Sequence, residues 1–302
     1  MKKKQVNWKG SFTAVITPFK ENGDLDRDAF SRNIDLLIRE GLDGVVIGGC
    51  TGESWLLSDD EKKEIFRLSV DTAKGRVPVI GGTSGITAAE TVLLSHYAQE
   101  IGMDGVMVLP PPMLHLSDRE HFAFFKDVSD SIDLPILVYN NPYRQGVDLF
   151  PEFLLKISEL DNIVAVKEAS KDFARVSDVI RIVGDKMIVF AGHSSMQGVP
   201  AVLMGASGWV GSMDTQLLGH DAMDMYDLLI KGEIEKARKI QYRCIALEQG
   251  MKGKKVGTFP AGLKYAMNLR HRPGGYPRKP ILPLTDEEKK VVENLLRQHD
   301  LI

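Results

Sequence analysis

Residues 135–142 read P-I-L-V-Y-N-N-P, and residues 163–168 read I-V-A-V-K-E. Each is a short run rich in Val and Ile that stops abruptly on polar side chains. A run apolar on both faces suits a strand in a parallel sheet, where helices cover one side and a core fills the other. Outward from these two, the pattern recurs at intervals of roughly 20–35 residues. It begins near Thr13 (T-A-V-I-T-P-F), Gly44 (G-V-V-I-G-G), Val77 (V-P-V-I-G-G), Gly105 (G-V-M-V-L-P), Pro135, Ile163, Met187 (M-I-V-F-A-G) and Ser207 (S-G-W-V-G-S).

Helical patterns with start signals lie between the runs. Ser58 with Glu61, Thr87 with Glu90, and Ser117 with Glu120 read as capping boxes, in which the hydroxyl accepts a first-turn N–H and the Glu reaches back. Gly41, Gly75, Gly102 and Gly184 are expected to close helices in the left-handed conformation. Strands alternating with helices in one continuous span predict an α/β protein, a TIM (β/α)8 barrel. No G-x-G-x-x-G opens the first unit, which weakens a dinucleotide-binding reading. After about Gly219 the strand signal stops, and a last capped helix starts at Thr285. The expectation is a single domain over 1–302, with the barrel in 1–218 and a C-terminal helical extension in 219–302.

The chain has 302 residues and a net charge of −3, so no nucleic-acid or anionic-membrane partner is expected. A small acidic substrate must be held by local groups. Two cysteines, Cys50 and Cys244, make no disulfide framework and suit a cytoplasmic location. The start, Met1-Lys2-Lys3-Lys4-Gln5, is basic without a following apolar run, so no signal peptide is expected. The scattered histidines form no metal-binding spacing, and no metal is expected.

In such a barrel the chemistry sits where the strands end. Lys167 is the only lysine that closes one of these runs. Partial desolvation there would leave the free amine that attacks a ketone; the alternative is an ion pair with Glu168. Tyr139 ends the preceding strand and can relay protons, or can simply pack with a bonded hydroxyl. The loop 48–54, G-G-C-T-G-E-S, offers backbone N–H groups and the Thr51 hydroxyl to a small anion, or is only a tight turn.

Together G-C-T-G-E-S (49–54), Y-N-N-P (139–142) and V-A-V-K-E (164–168) resemble the dihydrodipicolinate synthase / N-acetylneuraminate lyase family, in order and in spacing. The resemblance covers nearly the whole chain. It implies that Lys167 forms the imine and that Tyr139 relays protons. Cys50, Thr51 and Gly52 would bind the carboxylate of a 2-keto acid. Asn140 and Pro142 would fix the turn that presents Tyr139, and Glu53 would tie the loop to nearby backbone N–H groups. The resemblance also implies a homodimer or homotetramer, and no cofactor beyond the covalent lysine imine.

Some positions depart from that family's pattern. Cys50 stands where the synthase usually carries a hydroxyl, and a thiol is a weak donor. Residues 109–113, L-P-P-P-M, lack the aromatic that completes a hydroxyl relay. Arg144 favours an acidic second substrate, with a surface ion pair as the alternative. Trp209 and His193 are candidates to line the distal pocket, or are packing.

The expected activity is that of a Schiff-base lyase or aldolase acting on pyruvate or a related 2-keto acid, synthase-like. The alternatives are a 2-keto-3-deoxy sugar acid aldolase or dehydratase, and a keto or imino acid deaminase or hydratase-aldolase. Two other classes compete: a metal-dependent aldolase using His193, Asp214 and Glu53, and a binding descendant without turnover.

Overall fold

A computed structural model describes residues 4–252 and 256–302; residues 1–3 of the basic N-terminal stretch lie outside the described residues. Eight strands pair in parallel, each with the next, and the last closes on the first. They are β1 (Gly10–Ala14), β2 (Gly44–Ile47), β3 (Val79–Gly82), β4 (Gly105–Val108), β5 (Ile136–Asn140), β6 (Ile163–Glu168), β7 (Ile188–Ala191) and β8 (Gly208–Gly211). The first strand starts earlier than the apolar run suggests. At Ile16 the backbone has already left the sheet, and its N–H donates to Gln216 Oε1 at 2.9 Å.

Helices follow the strands in turn. They are α1 (Arg27–Arg39), α2 (Asp59–Ala73), α3 (Ala88–Glu100), α4 (Asp118–Ser131), the short α5 (Pro142–Gln145) with α6 (Pro151–Ile157), α7 (Phe173–Val183) and α8 (Ser194–Leu203). The capping boxes at Ser58 and Thr87 form as read, and at Ser117 the Glu120 carboxylate reaches back to accept from both the Ser117 N–H at 2.8 Å and its hydroxyl. Gly41, Gly75 and Gly102 take positive φ. Gly184 does not: it stays helical at φ −57°. Glycine is needed there for another reason, because a Cβ would sit 2.4 Å from the Ile180 carbonyl oxygen.

Two apolar layers hold the barrel. Phe30, Ile34, Phe66, Phe125 and Leu154 fill the space between strands and outer helices. Phe12, Val46, Ile80, Met107, Leu137 and Phe190 fill the inside, with Trp8 in the same cluster. Room for Phe12 exists because position 44 is glycine, where a Cβ would lie 2.3 Å from the ring. The interior is therefore packed, and only the strand ends are open to chemistry.

Beyond β8 come α9 (Met213–Leu218), α10 (His220–Ile230), α11 (Ile234–Met251), α12 (Phe259–Leu269) and α13 (Asp286–Gln298). Leu217, Cys244, Leu247, Leu263, Met267, Val292 and Leu296 form their own core with Ile16. Gln241 of α11 donates through Nε2 to Ser194 O at 3.0 Å and accepts the Val199 N–H at 2.8 Å. These bonds dock α11 onto α8, beside the open ends of β7 and β8.

Candidate active site

Side chains alternate between the two faces of a strand, so register decides which residues meet. Tyr139 pairs with Lys167 across β5 and β6, and Asn140 pairs with Glu168. The first pair faces the barrel interior. The Lys167 Nζ lies 4.3 Å from the centre of the Tyr139 ring. The second pair faces outward: Asn140 Nδ2 donates to Glu168 Oε2 at 2.9 Å, and the Ser170 N–H donates to Glu168 Oε1 at 2.7 Å. Glu168 is thus engaged elsewhere, and the Lys167–Glu168 ion pair does not form.

Lys167 is 4% exposed. Burial disfavours its ammonium and pushes its pKa down to about 8, against a smaller opposing influence of Cys50. A substantial neutral fraction near neutral pH follows. Burial moves the Tyr139 phenol the other way, well above its ordinary value, so it keeps its proton. Its oxygen accepts from Asn141 Nδ2 at 2.8 Å and also meets Cys50. The thiol of Cys50 is itself held protonated by burial.

Asn141 was missed by the sequence reading, which placed the turn on Asn140 and Pro142. Asn140 anchors the following segment, accepting the Leu149 N–H at 3.0 Å, and Pro142 starts α5. Asn141 shares a face with Tyr139, and strand alternation at Y-N-N-P could have revealed it.

Cys50, Thr51, Tyr139, Asn141, Arg144, Lys167 and His193 line one cavity of about 80 Å³. Gly52 is not among its lining residues. Its N–H donates to Gly49 O at 3.0 Å, its carbonyl accepts from Thr17 Oγ1 at 2.7 Å, and a Cβ would lie 2.9 Å from Val15 O. Glycine here lets the loop pack closely, which presents Cys50 and Thr51. Glu53 adopts φ 54°, and its carboxylate pairs at 2.5 Å with Lys264 of α12, a partner the expectation did not include, as well as meeting the Arg278 backbone N–H.

Arg144 reaches the cavity from α5, and its guanidinium lies 5.9 Å from the centre of the Trp55 ring. Among the described residues no carboxylate forms an ion pair with it. His193 lines the cavity as well; its Nε2 meets Ala169 O at 3.2 Å, and burial first, then Lys252, pushes its pKa down to about 4. Trp209 does not line the pocket. It is fully buried on the outer face of β8, bonded through Nε1 to Ser11 Oγ at 2.9 Å and packed edge-on against Tyr226. Glu53, His193 and Asp214 do not converge; Asp214 accepts from the Ser212 N–H at 3.3 Å. Among the described residues no group of three or more His, Cys, Asp or Glu is placed to hold a metal.

Ser195, Glu248, Lys252 and Phe259 also line this cavity, and the sequence reading named none of them. Three of these four belong to the C-terminal segment. No local pattern says that α11 crosses the barrel mouth.

The family model described as the Dihydrodipicolinate synthetase family matches residues 7–299. A 4-hydroxy-tetrahydrodipicolinate synthase 1 of Halalkalibacterium halodurans is 36% identical over 281 residues, covering 93% of this chain and 94% of that protein. A 4-hydroxy-tetrahydrodipicolinate synthase of Methanocaldococcus jannaschii is 36% identical over 296 residues, covering 98% and 100%. Among solved structures, YagE, a prophage protein of E. coli K12 belonging to the dihydrodipicolinic acid synthase family and crystallised with pyruvate, superposes with a TM-score of 0.93. It is 29% identical, and the match covers 98% of this chain and 100% of that one.

Proposed function

This chain belongs to the dihydrodipicolinate synthetase family, and from that premise we propose that Lys167 condenses with pyruvate or a related 2-keto acid. As a member it is a class I lyase, working through a lysine imine without a separate cofactor. The observation that carries the assignment to Lys167 is its placement: a buried amine with no acid partner among the described residues, 4.3 Å from the centre of a buried phenol ring.

The neutral Lys167 amine attacks the ketone carbon to give a carbinolamine. The carbinolamine hydroxyl takes a proton from the Tyr139 phenol and leaves as water while the nitrogen lone pair closes the C=N bond, giving an iminium and a phenolate; the phenolate is restored by the proton that the neighbouring carbon loses in the next step. The iminium then draws electrons from the neighbouring carbon. Loss of a proton from that carbon gives an enamine, which adds to an aldehyde; in the reverse sense a C–C bond breaks. The Cys50 and Thr51 backbone N–H groups and the Thr51 hydroxyl are read as holding the carboxylate. Arg144, without an acid of its own, supports an acidic second substrate, as a synthase-like condensation needs.

We also read the protein as a cytoplasmic homodimer or homotetramer. No helix among the described residues is long and apolar enough to cross a membrane. Trp55, Ile86, Met113 and Leu114 are exposed apolar side chains on segments that follow β2, β3 and β4, and they support an interface there.

Borohydride reduction in the presence of pyruvate tests the function. The expected result is a mass gain on the peptide carrying Lys167. A gain on another lysine, or none, overturns the assignment.

A further inference from the structure

Two cavities lie back to back at the barrel mouth. One, of about 80 Å³, holds Lys167 and Tyr139. The other, of about 390 Å³, is lined by Lys171, Phe173, Met196, Gln197 and Gln249. They share three lining residues: His193, Glu248 and Lys252. We infer that these three side chains form a wall that sets how long a keto acid the site accepts, and that the cavity behind them is a latent extension of it. The inference rests on the lysine-imine reading above.

The sizes make the wall consequential. A cavity of about 80 Å³ corresponds to roughly six water-sized volumes, enough for a three-carbon keto acid and little more. The carboxylate loop follows β2, and His193 follows β7, on another side of the closed barrel. A chain anchored by its carboxylate at Cys50 and Thr51 and bonded to Lys167 therefore extends toward His193 and Glu248.

The wall is held in place from both sides. Glu248 of α11 pairs with Lys252, which caps the end of that helix, and accepts a hydrogen bond from Ser195. Gln241, two turns earlier, docks the same helix on α8. His193 is fixed through Nε2 to Ala169 O at 3.2 Å. Behind the wall the larger cavity has Phe173 and Met196 as apolar sides. It also holds Gln197, buried, with an Oε1 that finds no hydrogen-bond partner among the described residues. An apolar space with one unsatisfied polar atom suits an aliphatic chain that carries a terminal donor.

The test is borohydride trapping with straight-chain 2-keto acids of three to six carbons, read as the rate of mass gain at Lys167. In the unaltered protein trapping should fall steeply with length. In Glu248→Ala and in His193→Ala the six-carbon to three-carbon ratio should rise by at least about tenfold, the scale on which methylene groups are discriminated. Adding Met196→Trp to Glu248→Ala refills the outer cavity and should return the ratio to its starting value, which a general loosening would not do. If Glu248→Ala does not fold, His193→Ala carries the same expectation. Equal trapping of all lengths by the unaltered protein overturns the inference. So does an unchanged ratio in the folded variants, or loss of the pyruvate adduct in both. Trapping at a lysine other than Lys167 in the unaltered protein overturns the function itself, and the two failures are thereby distinguished.

Discussion

The Nζ of Lys264 lies 2.5 Å from a carboxylate oxygen of Glu53, with both side chains essentially inaccessible to solvent. One residue sits in α12, the other in the loop that presents Cys50 and Thr51. The C-terminal helices thus hold the loop that follows β2 through a buried charge pair. Burial pushes Glu53 up and brings Lys264 down to about 8, opposed in each case by the partner's charge. Such a pair adds little net stability, but leaving one half of it alone costs a great deal.

Lys264→Met should therefore destabilise the protein by about 3–5 kcal/mol in denaturant unfolding. The double variant Glu53→Gln with Lys264→Met should recover part of that loss. Both should raise the KM for pyruvate, because Glu53 no longer pins the loop. A Lys264→Met protein of unchanged stability would show that the pair is not closed in solution.

The pH dependence follows from Lys167. With its pKa near 8, the free-amine fraction rises with pH up to that value and saturates above it. Imine formation with pyruvate should climb about tenfold per pH unit on the acid side and level off above pH 8. The effect on stability has the same sign. The unfolded lysine, near ~10.4, holds a proton that the folded one releases. Its penalty is therefore full at low pH and fades as pH rises through the window from about 8 upward. Stopped-flow trapping at several pH values measures the first expectation; an optimum below pH 7 would contradict it.

Removing the phenol should slow the reaction without abolishing the adduct. Tyr139→Phe is expected to lower kcat by about 10²–10⁴-fold, the range of general acid–base catalysis, while borohydride still traps pyruvate slowly. Asn141 donates to that phenol at 2.8 Å. Asn141→Leu should lower kcat less than Tyr139→Phe does, and combining the two should add little. Additive losses would mean that Asn141 acts independently of Tyr139.

Arg144 carries the expectation for the second substrate. Arg144→Ala should lower kcat/KM for a carboxylate-bearing aldehyde by about 10–100-fold, the scale of a charge-assisted hydrogen bond, and leave pyruvate trapping within about twofold. Equal losses for acidic and neutral aldehydes would point to one of the sugar-acid or deaminase readings instead.

Much of this was legible in the chain. Runs such as I-V-A-V-K-E are apolar on both faces, and only a strand covered on both sides needs that. The caps at Ser58, Thr87 and Ser117 are local hydrogen-bonding motifs, so local sequence suffices to find them. Lys167 and Tyr139 were findable because strand ends and strand faces follow from position alone.

By itself, then, the sequence determined the barrel and the strand-end positions of Lys167 and Tyr139, because these depend on short-range periodicity and on where apolar runs stop. Only the tertiary structure decided that Glu53 answers to Lys264, that Trp209 turns away from the mouth, and that α11 brings Glu248 and Lys252 beside His193. Those relations join residues far apart along the chain. They are set by how whole helices pack, and no local pattern of side chains encodes that docking.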